Sequence, residues 1–124
     1  MSSLFAFDFI RKQLHRRSLR KKIALARTWP TATGEVNHWV VKQAEDEELS
    51  GATPCQVEAR FHFSINGEYY GGYFRSVGMG QHAAETAAQG TPAISVRYDP
   101  ANPNSAMVLP EDNETKLSFR ISSN

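Results

Sequence analysis

The sequence predicts an α+β chain: a basic N-terminal helix, then a small antiparallel β-sheet or open barrel of about five strands with one short helix. Three observations predict it. Residues 56–65 alternate apolar and polar without a break and meet a mirrored run across Asn66-Gly67. Residues 2–26 contain neither proline nor glycine. Short alternating runs, set apart by glycine- and proline-rich turns, fill much of the rest. At 124 residues the chain has the size of one domain. The reading divides it into a basic helix (1–27), a β-rich domain (28–110) and a polar tail (111–124).

The helix starts at a Ser2 or Ser3 cap and runs to about Ala26, built from good helix formers. Phe7, Ile10, Leu14 and Leu25 share one side at 100° per residue, while Leu19 and Ile23 fall on another. Cations surround it between Arg11 and Lys22, so a fully buried position is excluded. Trp29-Pro30 ends it, because the residue before proline is pushed out of the α region. Gly34 to Lys42 then reads as a strand, and the acidic run Glu45-Asp46-Glu47-Glu48 as part of a loop reaching Pro54.

The hairpin is the strongest local signal. Val57, Ala59, Phe61, Phe63 and Ile65 alternate with Glu58, Arg60, His62 and Ser64. Asn66-Gly67 supplies the two positive φ values a type I′ turn needs. That turn sets Ile65 opposite Glu68, Phe63 opposite Tyr70, Arg60 opposite Tyr73, Ala59 opposite Phe74 and Glu58 opposite Arg75. A slip by one residue would turn the apolar set to water. Gly72 falls opposite Phe61, which implies either a ring lying over bare glycine or a bulge.

Gln81 to Gln89 reads as a short alanine-rich helix closed by Gly90 in the left-handed region. Ile94, Val96 and Tyr98 mark a fourth strand. Asp99-Pro100-Ala101-Asn102-Pro103-Asn104-Ser105 reads as a rigid turn. Ala106 to Leu109 reads as a short last strand. Residues 110–124 read as a frayed end, although Leu117, Phe119 and Ile121 alternate as an edge strand would.

Charge is distributed unevenly. Residues 1–27 hold eight cations and one acid, giving +7; the rest holds six cations and twelve acids, giving −6. Apolar residues precede the cations, the reverse of a secretory signal, and no apolar run reaches the roughly 18–20 residues of a membrane-spanning helix. A cytoplasmic location is expected, with the inner face of the cell membrane as the variant.

Most catalytic patterns are missing. One cysteine, Cys55, excludes an internal disulfide. His38, Cys55, His62 and His82 lack the short paired spacing of a zinc site, so no metal is expected. No nucleophile elbow and no Walker loop occur. Gly78-x-Gly80-x-x-Ala83, with Asp99 further on, mimics a dinucleotide fingerprint, which would make the chain a nucleotide binder. The preceding strand belongs to an antiparallel hairpin, however, so a glycine-rich turn is the preferred reading. No cofactor, no small-molecule substrate and no enzymatic activity are expected. Arg60, Tyr69, Tyr73 and Arg75 share a hairpin face like an aromatic–basic platform for single strands. Set against that are a cross-strand cation–π contact, a Glu58–Arg75 ion pair and the acidic domain, which disfavour nucleic acid.

A family resemblance supports the β-rich part. Trp29 with Gly34-x-Val36 looks like an opening strand, and Asn66-Gly67 with Tyr70-x-Gly72 like a central hairpin. The closing signature runs from Gly90 through Val96-x-Tyr98-Asp99-Pro100-x-Asn102-Pro103-x-Ser105. Together these resemble the bacterial family of domains of unknown function 3592, over roughly Trp29 to Leu109. The resemblance implies a small β-rich module, usually beside transmembrane helices, without an established reaction. The basic segment here occupies the place of the preceding membrane helix.

The expected function is that of a non-catalytic interaction or scaffold module of bacterial type, whose basic helix docks on an acidic protein surface, through a protein partner or self-association. The alternative is a peripheral module at an anionic membrane surface. Phe5, Phe9, Arg11, Lys12, Arg16, Arg17, Arg20, Lys21 and Lys22 are the candidate contacts in either case. Asn66, Gly67, Gly90, Asp99, Pro100, Asn102 and Pro103 are the structural turn residues.

Overall fold

The computed structural model describes residues 2–43 and 54–122, with the backbone alone at residues 2–9 and 12. The acidic run at 45–48 lies outside the described residues. Helix α1 spans Ser2–Ala26, followed by strands β1 (Thr31–Gln43), β2 (Cys55–Ile65) and β3 (Glu68–Arg75), helix α2 (Gln81–Ala87), and strands β4 (Ala93–Asp99) and β5 (Asn102–Met107). The sheet is antiparallel throughout, in the order β3-β2-β1-β4-β5. Its edge strands β3 and β5 approach each other, so it curls into a nearly closed barrel. This is the α+β architecture read from the sequence.

The hairpin register is the expected one, pair for pair, from Ile65↔Glu68 to Glu58↔Arg75. Asn66 and Gly67 adopt φ of 54° and 84°, as a type I′ turn requires. Of the two readings of Gly72, the ring over glycine is the one found. The register runs through without a bulge, and a Cβ on Gly72 would lie 2.8 Å from Phe61 Cζ. Register shifts fall elsewhere in the sheet, on β1 between Val36 and His38 and on β4 between Tyr98 and Asp99.

The barrel interior holds Val36, Ala59, Phe61, Phe63, Phe74, Ile94, Val96, Val108 and Ile121. The Phe61 ring stacks on Phe63 at 6.2 Å and meets Phe74 at a tilt at 6.1 Å. Helix α2 covers a smaller cluster of Cys55, Val57 and Ala84. Trp39 is an inter-element clasp: its indole N–H donates to the Gly90 carbonyl at 2.7 Å and its ring meets Phe119 edge-on at 5.9 Å. Gly90 has φ of 78°, the left-handed conformation expected of it.

Two local expectations are corrected. The turn after β4 consists of Pro100 and Ala101 alone, with Asp99 and Asn102 already paired. Asn102 and Pro103 therefore begin β5, four residues before Ala106. Proline lacks the N–H a ladder needs, but β5 is an edge strand, where that loss is tolerated. The polar end, through Ser122, is docked rather than frayed. Ser122 N–H donates to the Arg75 carbonyl at 2.8 Å, Val77 N–H to that of Arg120 at 2.9 Å, and Ile121 is buried. Asn113, 2% exposed, completes the seal. Its Oδ1 accepts from Ser95 N–H, and its Nδ2 donates to the Ser95 and Leu109 carbonyls, so the amide continues the ladder beside β4 where β5 has ended at Met107.

Candidate functional site

The structure separates three surfaces: the helical arm, the cleft at its root, and the outer face of β1–β3. Among the described residues, helix α1 is anchored near its C-terminal end. Ala26 is fully buried, and Leu19 and Ile23 are half-buried. Arg97 fixes the junction from β4. Its guanidinium holds Asp112 through two hydrogen bonds of 2.9 and 3.1 Å and donates to the Trp29 carbonyl at 2.8 Å. Arg27 pairs with Glu111 at 2.8 Å. Upstream of Leu19 the helix continues for about 25 Å at 1.5 Å per residue.

The arm carries the candidate contacts. Arg11, Arg16, Arg17, Arg20, Lys21 and Lys22 are all exposed, and among the described residues none forms an ion pair. The side chains of Phe5, Phe9 and Lys12 lie outside the described residues. Ile10 and Leu14 are also open, at 55% and 59%. The side of the helix that seats on the barrel is the Leu19–Ile23 side, so the Ile10–Leu14–Leu25 side is left to solvent. Sequence periodicity shows both stripes but does not say which one docks. Among the described residues, no helix is long and apolar enough to cross a membrane.

At the arm's root lies a cleft of about 380 Å³. Leu19 and Ile23 line it from the helix, Phe74 and Arg75 from β3, and Met107 and Leu109 from the β5 end. It is the seam where the barrel does not close.

The outer sheet face gathers around one carboxylate. Glu58 is 7% exposed although it points away from the barrel. Lys42 reaches it at 2.7 Å, Arg75 at 3.2 Å and Arg60 at 3.8 Å. The Lys42 hydrogen bond, opposed by burial and seconded by Arg75, holds its pKa below the ordinary carboxylate value. The expected Glu58–Arg75 pair is therefore present. The expected cross-strand cation–π contact is replaced by one within β3, with the Arg75 guanidinium 5.6 Å from the Tyr73 ring centre. Two residues apart on a strand, these side chains leave the same face.

The remaining motifs take ordinary structural positions. Gly80 precedes the seven-residue α2, which follows an antiparallel strand. Asp99 accepts the Ala101 N–H at 2.9 Å within the β4–β5 turn. Among the described residues, no three His, Cys, Asp or Glu side chains gather as metal ligands.

A family model described as Domain of unknown function (DUF3592) matches residues 32–113, about two thirds of the chain. No curated protein and no solved structure matches. The matched span contains β2 to β5, α2 and all of β1 but Thr31, while α1 precedes it.

Proposed function

The chain belongs to the DUF3592 family, and from that premise we propose that it is a non-catalytic interaction module whose cationic helix docks on an acidic protein surface. One observation carries the reading: six exposed cations without ion-pair partners among the described residues stand on a helix held by its last turns alone. Among the described residues, no carboxylate of the acidic domain pairs with them, and in this reading the complementary surface belongs to another molecule, a different protein or a second copy. Complementary charge speeds encounter and excludes like-charged surfaces. The location that fits is the cytoplasm.

A second reading has its own support. Ile10 and Leu14 lie open among the cations, which suits an anionic membrane surface at the inner face of the cell membrane. Interfacial helices, however, separate an apolar face from a charged one. Here Arg16 and Arg20, Arg17 and Lys21, and Arg11 and Lys22 fall in three sectors around α1, so a flat bilayer would leave part of the charge unmatched.

The test compares the full chain with Arg16→Glu/Arg17→Glu/Arg20→Glu, positions that are exposed and outside the core. Retention on immobilised poly-L-glutamate, weakened by salt and lost in the variant, is the expected result. Co-sedimentation with phosphatidylserine vesicles that is stronger than this retention, and abolished by Ile10→Asp/Leu14→Asp, would replace it with the membrane reading. Absence of both would remove the arm as a docking element. Analytical ultracentrifugation across concentration separates self-association from a foreign partner.

A further inference from the structure

We propose that the outer face of β1–β3 is a binding platform for single-stranded nucleic acid, a site distinct from the docking arm and independent of it. Tyr69 and Tyr73 are 78% and 63% exposed. They share one face of β3, four residues and about 13 Å apart at 3.3 Å per residue. Gly71 between them carries no side chain, so the span between the rings is open. Each ring is steadied from below or beside: Tyr69 meets His62 edge-on at 6.2 Å, and Tyr73 lies under the Arg75 guanidinium. Beside Tyr73 the face sinks into a hollow lined by Asn37, His38, Arg60 and Gly72, where the β1 bulge interrupts the pairing.

The local charge favours an anion although the domain is acidic overall. Glu58 is enclosed, so Lys42, Arg60 and Arg75 present their outward sides around it. Among the described residues, the next acid on this face is Glu35. Open π-faces with flanking cations match the chemistry of a single strand, where bases stack and phosphates meet cations. An acidic protein is the competing occupant, since aromatic side chains also meet at protein interfaces, and poly-L-glutamate stands for its charge in the test. The hydroxyls of Tyr69 and Tyr73 have no hydrogen-bond partner among the described residues, and burial in a core does not explain rings this open.

The test uses a short fluorescein-labelled oligo-dT and its oligo-rU counterpart, read by anisotropy at fixed salt. The protein is the full chain carrying Arg16→Gln/Arg17→Gln/Arg20→Gln, which removes much of the arm's own attraction for phosphate. Tyr69→Ala and Tyr73→Ala are each expected to weaken binding roughly 5- to 150-fold, with Tyr→Phe retaining it. The melting temperature of each variant should stay near that of the parent, since both side chains are exposed. Binding that is absent, or indifferent to both tyrosines, would overturn the platform without touching the arm. Displacement of the oligonucleotide by poly-L-glutamate, itself bound with the same tyrosine dependence, would also overturn it and make the face a protein contact.

Discussion

Replacing Gly72 by alanine should destabilise the protein, against the usual sign of that change. In a strand interior, alanine is normally better than glycine by about 0.5–1 kcal/mol, because glycine loses more backbone freedom. Here the new Cβ would lie 2.8 Å from Phe61 Cζ and 3.1 Å from Cε1. The ring cannot withdraw freely, because it is buried and packed against Phe63 and Phe74. Overpacking of this kind costs about 1–3 kcal/mol, which exceeds the backbone gain. An unfolding entropy of about 2.1 cal/mol/K per residue gives about 0.26 kcal/mol/K for this chain, so each kcal/mol moves Tm by about 4 °C. Gly72→Ala should thus lower Tm by up to about 10 °C in calorimetry. In a Phe61→Leu background the smaller side chain vacates the contact, and the added cost of Gly72→Ala should fall to near zero. Gly80→Ala is the control: nothing lies within 4 Å of its added Cβ and φ is −66°. It should leave Tm unchanged or raise it slightly. A Gly72→Ala protein as stable as its parent, or an equal penalty in the leucine background, would refute the ring-over-glycine account.

Glu58→Gln should cost on the order of 1–2 kcal/mol at neutral pH, between the values for exposed and fully buried pairs, because its three cationic partners are themselves partly exposed. Since its folded pKa lies below the ordinary 4.5, Glu58 contributes fully above that value and loses its contribution as pH falls through the folded one. Acid melts of parent and variant should therefore converge at low pH; a constant gap would contradict the ion cluster. Asn113→Asp removes two donated hydrogen bonds and sets a carboxylate against the Ser95 and Leu109 carbonyls. A loss of about 2–4 kcal/mol in urea unfolding is expected, and a neutral result would deny the strand-mimic role. Arg97→Lys cannot keep the two-pronged contact with Asp112 and the Trp29 bond together, so hydrogen exchange should speed up from Leu25 to Trp29 while the β2–β3 hairpin keeps its protection.

The hairpin was fully legible because two local rules coincide there. A period of two fixes which side chains face inward, and a two-residue turn with Asn66-Gly67 fixes the partner of each. The helix boundary was equally plain, since Trp29-Pro30 admits no continuation. What escaped the sequence depends on distant backbone. Asn102 and Pro103 look like turn residues unless β5 is known to be an edge. The alternation of Leu117, Phe119 and Ile121 suggests an edge strand, but it does not name Arg75 and Val77, at and just beyond the end of β3, as the partners of Ser122 and Arg120, because that contact uses main-chain groups. Asn113 looks like any polar tail residue, and only its enclosed position shows the amide acting as a strand. On the surface, the cations of the arm and the tyrosines of β3 were visible at once. The docking side of α1 was not, because Leu19–Ile23 and Ile10–Leu14 are equal candidates until the barrel seam selects one.

The arm also carries a reason to be bound. Arg16 and Arg20, and Arg17 and Lys21, are like charges at i and i+4 on the same helix, each pair opposing it by about 0.2–0.5 kcal/mol. No acid follows Asp8 in the helix to offset them. Among the described residues, burial against the barrel falls on the last turns, from Leu19 to Ala26, so it supports the root of α1 rather than its cationic middle. A helix in this condition is stabilised by whatever neutralises it, and by linkage a surface that prefers the helical form binds more tightly to the arm already held in that form. The Arg97–Asp112 clamp and the Leu19–Ile23 seat supply that hold. The same charge that would weaken an isolated helix would then, on this scaffold, act as a preorganised set of contacts if the proposed anionic surface meets it, with a repulsion that salt also screens.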